Sequence, residues 1–172
     1  VLLMPPIGGF TLPGEPIQGL GPQEGIVLGA QDVDLGAAAA HRVSTVLVNH
    51  SELQDDYDTA QKKVEAALAQ GKRVLLLLGE DFEEFNQGLT ADVLRTGLDR
   101  IVGALTPTEL LQVTVMYEPA WAISTSAAQP AVKMDTANIM REHAPRAIRA
   151  IRQWVAERHP EVPRLAEWLT IG

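Results

Sequence analysis

Arg73-Val74-Leu75-Leu76-Leu77-Leu78-Gly79-Glu80 is the stretch on which the fold turns. Val74 to Leu78 are consecutive aliphatic side chains, without the polar alternation of a strand that keeps one face in water. An uninterrupted run of this length reads as a strand buried on both faces, the habit of parallel sheets. Gly79 breaks the run and Glu80 follows with a charge. Working outward, comparable runs occur at Val1-Leu2-Leu3-Met4, Gly25-Ile26-Val27-Leu28-Gly29, Ser44-Thr45-Val46-Leu47-Val48 and Gln112-Val113-Thr114-Val115-Met116-Tyr117, with a last strand expected near Leu165 to Ile171.

Helical stripes lie between these runs. Ala60, Val64, Ala67 and Leu68 share one face, with Gly71 as the stop; Leu94, Leu98, Ile101 and Leu105 form a second stripe, closed by Pro107. Ile148, Ile151 and Val155 form a third, with Arg146, Arg149 and Arg152 turned elsewhere as a solvated face, before His159-Pro160. Trp154 and Trp168 read as residues that pack helix against sheet. Strand alternating with helix predicts βα units around a parallel sheet, whose functional residues gather beyond the carboxyl ends of the strands. Those ends carry Pro5-Pro6, Gln31-Asp32, Asn49-His50-Ser51-Glu52, Gly79-Glu80 and Glu118-Pro119-Ala120-Trp121.

The 172 residues are 46% hydrophobic and 21% charged, enough apolar material for one domain over 1–172 with a real core. Fourteen Lys and Arg against 22 Asp and Glu leave a net charge of -8, which disfavours broad binding to nucleic acid or to anionic membrane. With no cysteine, a disulfide scaffold, a zinc finger and a thiol nucleophile are excluded. No apolar run approaches the roughly 20 residues that span a bilayer, and a cytoplasmic protein is expected. The histidines His41, His50, His143 and His159 lie apart in sequence, so no metal site is expected.

Two strand-end residues carry chemistry. His50 follows the run at 44–48; a lone histidine there is more often a structural hydrogen-bonder than a catalyst. Asn49-His50-Ser51 also matches a glycosylation acceptor, which no secretion signal supports. Glu118 follows the run at 112–117 and precedes a proline, where the chain turns off the sheet. The segment after it, Pro119-Ala120-Trp121-Ala122-Ile123-Ser124-Thr125-Ser126, is an apolar anchor leading into small polar residues, the composition of a hinged lid. A carboxylate shielded from water beneath such a lid becomes a stronger base.

Tyr117-Glu118-Pro119-Ala120-Trp121-Ala122-Ile123 resembles the catalytic-base and lid motif of the triosephosphate isomerase family. Met4-Pro5-Pro6, Gly29-Ala30-Gln31-Asp32-Val33, His50-Ser51-Glu52, Lys62-Lys63-Val64-Glu65-Ala66-Ala67-Leu68 and Leu78-Gly79-Glu80 resemble successive segments of that family in the same order, from Val1 to about Trp154. The resemblance implies a (β/α)8 TIM barrel, α/β in class, and a cofactor-independent isomerase that interconverts dihydroxyacetone phosphate and glyceraldehyde 3-phosphate through an enediolate, as in glycolysis and gluconeogenesis. It implies Glu118 as the base and His50 as a neutral imidazole polarising the carbonyl, a pairing that is this family's known arrangement rather than a product of spacing. Ser124 and Gly172 would contact phosphate, and Glu52, Pro119, Trp121, Thr125 and Ser126 would form the lid and its support. The implied partners are a small phosphorylated sugar and a second copy of the chain in a homodimer, with no nucleic acid, membrane, metal or cofactor.

The sequence departs from the family in places. The first strand, with its asparagine and active-site lysine, and the eighth, with its phosphate-binding glycines, have no counterpart in 1–172, so the sequence reads as part of a longer chain. Ser124 and Ser126 stand where the family has glycines, Asn49 replaces a glycine, and Leu53-Gln54 replaces two arginines. The stretch from Ala127 to Pro145 looks longer than the family's connection between lid and helix. That length resembles relatives acting on four-carbon ketose phosphates, of the erythrulose phosphate type, which gives one alternative substrate. A barrel that has lost catalysis and acts as a binding protein is the other reading.

Overall fold

A computed structural model describes residues 27–29, 44–50, 55–123 and 135–172. The expected strand at Val1 to Met4, the strand ends Pro5-Pro6 and Gln31-Asp32, and the site residues Glu52, Ser124, Thr125 and Ser126 lie outside these. Four parallel strands form one sheet: β1 (Val27–Gly29), β2 (Thr45–Val48), β3 (Arg73–Leu78) and β4 (Val113–Tyr117), in the spatial order β1-β2-β3-β4. Strand order in space repeats strand order in sequence and never reverses. That is the winding of a barrel wall, whereas a doubly wound sheet reverses direction at its switch point.

The register aligns Val48 with Leu76 and Leu78 with Tyr117, so the carboxyl ends of β2, β3 and β4 lie side by side. One face of these strands, with Val46, Val48, Val74, Leu76, Leu78, Val113, Val115 and Tyr117, shares a buried cluster with the helices. The other face carries Leu47 and Leu77, with Leu75 and Met116 packed against them. Apolar side chains on both faces explain why the strands read as unbroken hydrophobic runs.

The helices cover the first face. α1 (Tyr57–Ala69) opens on Asp56, whose carboxylate accepts from the Thr59 amide at 2.7 Å, and buries Ala60, Val64 and Ala67 before Gly71 ends the turn at φ +66°. α2 (Phe82–Asn86) starts with a reciprocal capping box between Asp81 and Glu84. α3 (Thr90–Ile101) buries Leu94, Leu98 and Ile101, each worth roughly 1.5–3 kcal/mol as an upper estimate. Pro107 does not close that helix; it opens the short α4 (Pro107–Leu110), capped by Thr106 and Glu109. Leu105 stays buried in the loop between them.

α5 (Thr136–Arg158) packs alongside α3 in the same direction, from Thr90 with His143 to Asp99 with Trp154, and buries Ile151, Trp154 and Val155, while Ile148 is half-buried. Trp154 packs as expected and donates from Nε1 to Asp99 Oδ1 at 2.8 Å. Arg146 and Arg149 face solvent, but Arg152 is half-buried and donates to the Ala166 carbonyl, which corrects its reading as a solvated residue. Pro145 lies inside α5, so residues 136–145 belong to the helix and not to a long connection.

The expected strand at Leu165 to Ile171 is instead the short α6 (Leu165–Trp168), followed by Ile171 in a parallel bridge to Val115. Leu165 and Leu169 are buried one helical turn apart, and Trp168 is turned outward at 52% exposure beneath the Arg164 guanidinium. Its assignment as a packing residue is therefore corrected.

Candidate active site

The tip of β2 is shaped by Asn49, which takes φ +62°, the left-handed region that glycine and asparagine tolerate best. Its side-chain amide donates to the Leu77 carbonyl at 2.8 Å and ties the kink to β3. Strict alternation would send His50 to the same side as Val46 and Val48, among the helices. The kink at Asn49 breaks that alternation.

At the tip of β4, Glu118 follows Tyr117, which faces the helices, and alternation sends its side chain to the opposite side. Its amide donates to the Leu78 carbonyl at 2.8 Å, extending the ladder one residue past β4. Pro119 then turns the chain into a 3-10 turn over Ala120–Ala122, held by the Ala120 amide on the Glu80 carbonyl at 3.1 Å.

β3 lies between these tips, and its own tip is Gly79. A Cβ built there would come within 2.2 Å of the Glu118 carbonyl oxygen and 2.5 Å of the Pro119 nitrogen. Both are backbone atoms that cannot swing aside, so only glycine lets β3 and β4 approach this closely. The result is that His50 Nε2 stands 3.6 Å from Glu118 Oε1, with side chains 13% and 19% exposed. This exceeds a good hydrogen bond, and a carboxylate and an imidazole at that spacing can both engage a small molecule inserted beside them.

A second group lies beneath the first. Glu80 is completely buried, and its Oε1 accepts from the Tyr117 hydroxyl at 2.7 Å and from Trp121 Nε1 at 3.2 Å. Burial, reinforced by the Glu80 carboxylate, pushes the Tyr117 phenol far above its ordinary range, so Tyr117 remains a donor. His143, from α5, brings Nε2 to 4.0 Å from Glu80 Oε1 and 2.9 Å from Thr90 Oγ1. The Phe85 ring lies 4.4 Å from the Trp121 ring and 4.9 Å from His143, centre to centre. Trp121 is 1% exposed within this group.

Sequence reasoning placed His50 and Glu118 each at the end of its own strand, and the structure brings the two side chains to 3.6 Å across the tip of β3. It missed the pairing of Glu80 with His143, having judged the histidines isolated. Gly172 joins the sheet: its amide donates to the Val115 carbonyl at 3.0 Å and its carbonyl accepts from Tyr117 at 2.9 Å. The N–H that an anion would use is therefore committed to β4. Among the described residues no group of three His, Cys, Asp or Glu could hold a metal, and no helix is long and apolar enough to cross a membrane.

The sequence profile of the family described as triosephosphate isomerase matches residues 24–164, a span that contains both strand tips. The chain belongs to the triosephosphate isomerase family. It is 34% identical over 122 residues to the triosephosphate isomerase of Paracoccidioides lutzii, covering 68% of this chain and 45% of that protein. Against the same enzyme of Treponema pallidum it is 34% identical over 120 residues, 58% of this chain and 47% of that one. The Clostridium perfringens enzyme is 33% identical over 122 residues, 69% and 45%. The chain spans about half the length of the curated relatives it matches. Membership in the triosephosphate isomerase family makes the fold a (β/α)8 barrel, of which the described residues supply consecutive wall strands β1 to β4 and the bridge at Ile171.

Proposed function

We propose that this protein interconverts dihydroxyacetone phosphate and glyceraldehyde 3-phosphate. The observation that carries the reading is the 3.6 Å approach of His50 Nε2 to Glu118 Oε1 across the tip of β3, within a chain of the triosephosphate isomerase family. The Glu118 carboxylate removes a proton from the hydroxyl-bearing carbon next to the ketone. The C–H electron pair becomes the enediolate double bond, and the carbonyl oxygen takes up the charge while His50 donates a hydrogen bond to it. The proton on the other enediolate oxygen passes by way of His50 Nε2 to the former carbonyl oxygen, Glu118 returns its own proton to the former carbonyl carbon, and the aldehyde forms. Atoms and charge balance without a cofactor.

In this reading Glu52 supports the polar site, Ser124 presents its amide to phosphate, and Thr125 and Ser126 complete the cover anchored by Pro119 and Trp121. The working protein is a cytoplasmic homodimer whose subunit is a single barrel domain. A four-carbon ketose phosphate as substrate rested on a long connection after the lid, and α5 already begins at Thr136. A coupled spectrophotometric assay of the full-length protein, with triose and tetrulose phosphates in parallel, tests the proposal. Turnover of triose phosphate, lowered about a thousandfold in Glu118→Gln, is the expected result; preference for the tetrulose phosphate, or no turnover of either, overturns it.

A further inference from the structure

Tyr117 and Trp121 bracket the Glu118-Pro119 turn, and both donate to the same oxygen of Glu80. The other oxygen, Oε2, is buried and makes no hydrogen bond among the described residues. The two donors on Oε1 therefore hold the carboxylate in place, and whatever orders those donors orders it. Among the described residues the basic side chain beside it is His143, from a helix far along the chain, with Nε2 4.0 Å from Oε1 and so beyond direct hydrogen-bond reach.

The direction of the hydrogen bonds can be followed. The Trp121 indole can only donate, and Tyr117 keeps its proton, so Glu80 Oε1 is the acceptor of both. Thr90 Oγ1, 7% exposed at the start of α3, bonds His143 Nε2 and also neighbours the Tyr117 phenol as a hydrogen-bonding group. If the Thr90 hydroxyl gives its proton toward Tyr117, it must accept from His143, which places a proton on Nε2. That N–H is spent on Thr90, so His143 reaches Glu80 through Thr90 and Tyr117. Phe85 holds the imidazole edge-on and packs on Trp121, so ring position and hinge position are linked mechanically as well.

We infer that His143 is a positioning residue for Glu118, acting through Thr90 and Glu80: its Nε2–H orients the Thr90 hydroxyl toward Tyr117, whose own proton then goes to the buried Glu80 carboxylate that holds Tyr117 and Trp121 on either side of the base. This rests on the proposed role of Glu118 and adds a residue on α5, outside the strand tips, to the apparatus that aims it.

Two substitutions separate donor from ring. His143→Phe keeps an aromatic against Phe85 and removes the donor; His143→Gln keeps a donor near the place of Nε2 and removes the ring. In the full-length protein, His143→Phe is expected to lower kcat five- to tenfold with KM within twofold of the parent, and to move the Trp121 indole N–H resonance. His143→Gln is expected to return kcat to within twofold. Parental kcat in His143→Phe, or a His143→Gln as impaired as His143→Phe, overturns the inference.

Nitrogen-15 spectra of the unsubstituted protein at neutral pH give a result independent of either variant's folding. A proton on His143 Nε2 is expected, and the tautomer bare at Nε2 overturns the inference. Were the parent itself inactive, the isomerase reading would fall, while the Trp121 resonance and the His143 tautomer would still decide the link to Glu80.

Discussion

Two imidazole–carboxylate pairs near the tips of β2, β3 and β4 have nearly equal spacing, His50 with Glu118 at 3.6 Å and His143 with Glu80 at 4.0 Å. Their surroundings differ. Glu118 sits at a strand tip with its side chain 19% exposed, whereas the Glu80 side chain is fully enclosed and receives two hydrogen bonds from Tyr117 and Trp121. A carboxylate that must take up and release a proton needs an open side, and one that holds other groups in place needs donors around it. On the proposed function the same pair of functional groups serves chemistry in one layer and geometry in the layer beneath, and a single tripeptide, Tyr117-Glu118-Pro119, belongs to both.

The comparison breaks most sharply at Glu118. Replacing it by glutamine removes the base while preserving shape, and turnover should fall about a thousandfold, within the 10²–10⁴ range of general-base contributions. The urea midpoint should stay at the parental value, because a side chain near solvent at a strand tip carries little of the core. A large loss of stability together with the loss of activity would place Glu118 in the structural layer instead.

Glu80→Ala should reverse that pattern. It strands the Tyr117 hydroxyl and the Trp121 N–H in a buried space and opens a cavity, a loss of about 3 kcal/mol measured by urea unfolding. Activity should fall less than in Glu118→Gln, and through the aim of the base. Glu80→Gln, which keeps one acceptor oxygen, should recover at least half of the stability. Equal stability in parent and Glu80→Ala would show that the buried hydrogen bonds hold nothing.

Burial also gives the protein a pH dependence. Tyr117 and Tyr57 both have phenols raised above the usual 10.0, with burial as the first cause in each. Above that pH the unfolded chain loses phenolic protons that the folded protein retains, so stability is full below about pH 10 and falls as the pH rises beyond it. Urea midpoints measured from pH 8 to pH 11 should decline over the upper part of the range. Tyr117→Phe should flatten part of the decline, and an unchanged slope would remove Tyr117 as its source.

What could be read from the sequence follows the range of each interaction. β3 at Arg73–Leu78 was legible to the residue, because a strand buried on both faces leaves an uninterrupted apolar run. Leu165 to Ile171 was misread because a short apolar stretch has no decisive period; the spacing of Leu165 and Leu169 with Trp168 turned out is helical only once their burial is known. The Thr106-Pro107-Thr108-Glu109 cap was available as a signal, since Thr followed three residues later by Glu marks a helix start, and Pro107 was taken as a stop instead. His50 and Glu118 were legible because each sits just past its own strand. Glu80 and His143 were not, because their meeting depends on how α5 packs against α3, and no local pattern encodes that.

The smallest effect is expected at Asn49, and it tests whether the kink or the side chain orients His50. Asn49→Gly keeps the φ of +62° at no steric cost but gives up the amide bond to the Leu77 carbonyl, a loss of about 1 kcal/mol that easier left-handed geometry partly offsets. Net stability should stay within about 1 kcal/mol of the parent, with kcat within twofold. Asn49→Val loses the same hydrogen bond and adds the strain of a β-branched residue at positive φ, about 1–2 kcal/mol more. A strand end that relaxes to extended geometry would turn His50 back toward the helices and away from Glu118, so Asn49→Val should lose activity well beyond its loss of stability. If the glycine and valine variants are equally active, the kink does not aim His50, and its approach to Glu118 must come from the side-chain rotamer alone.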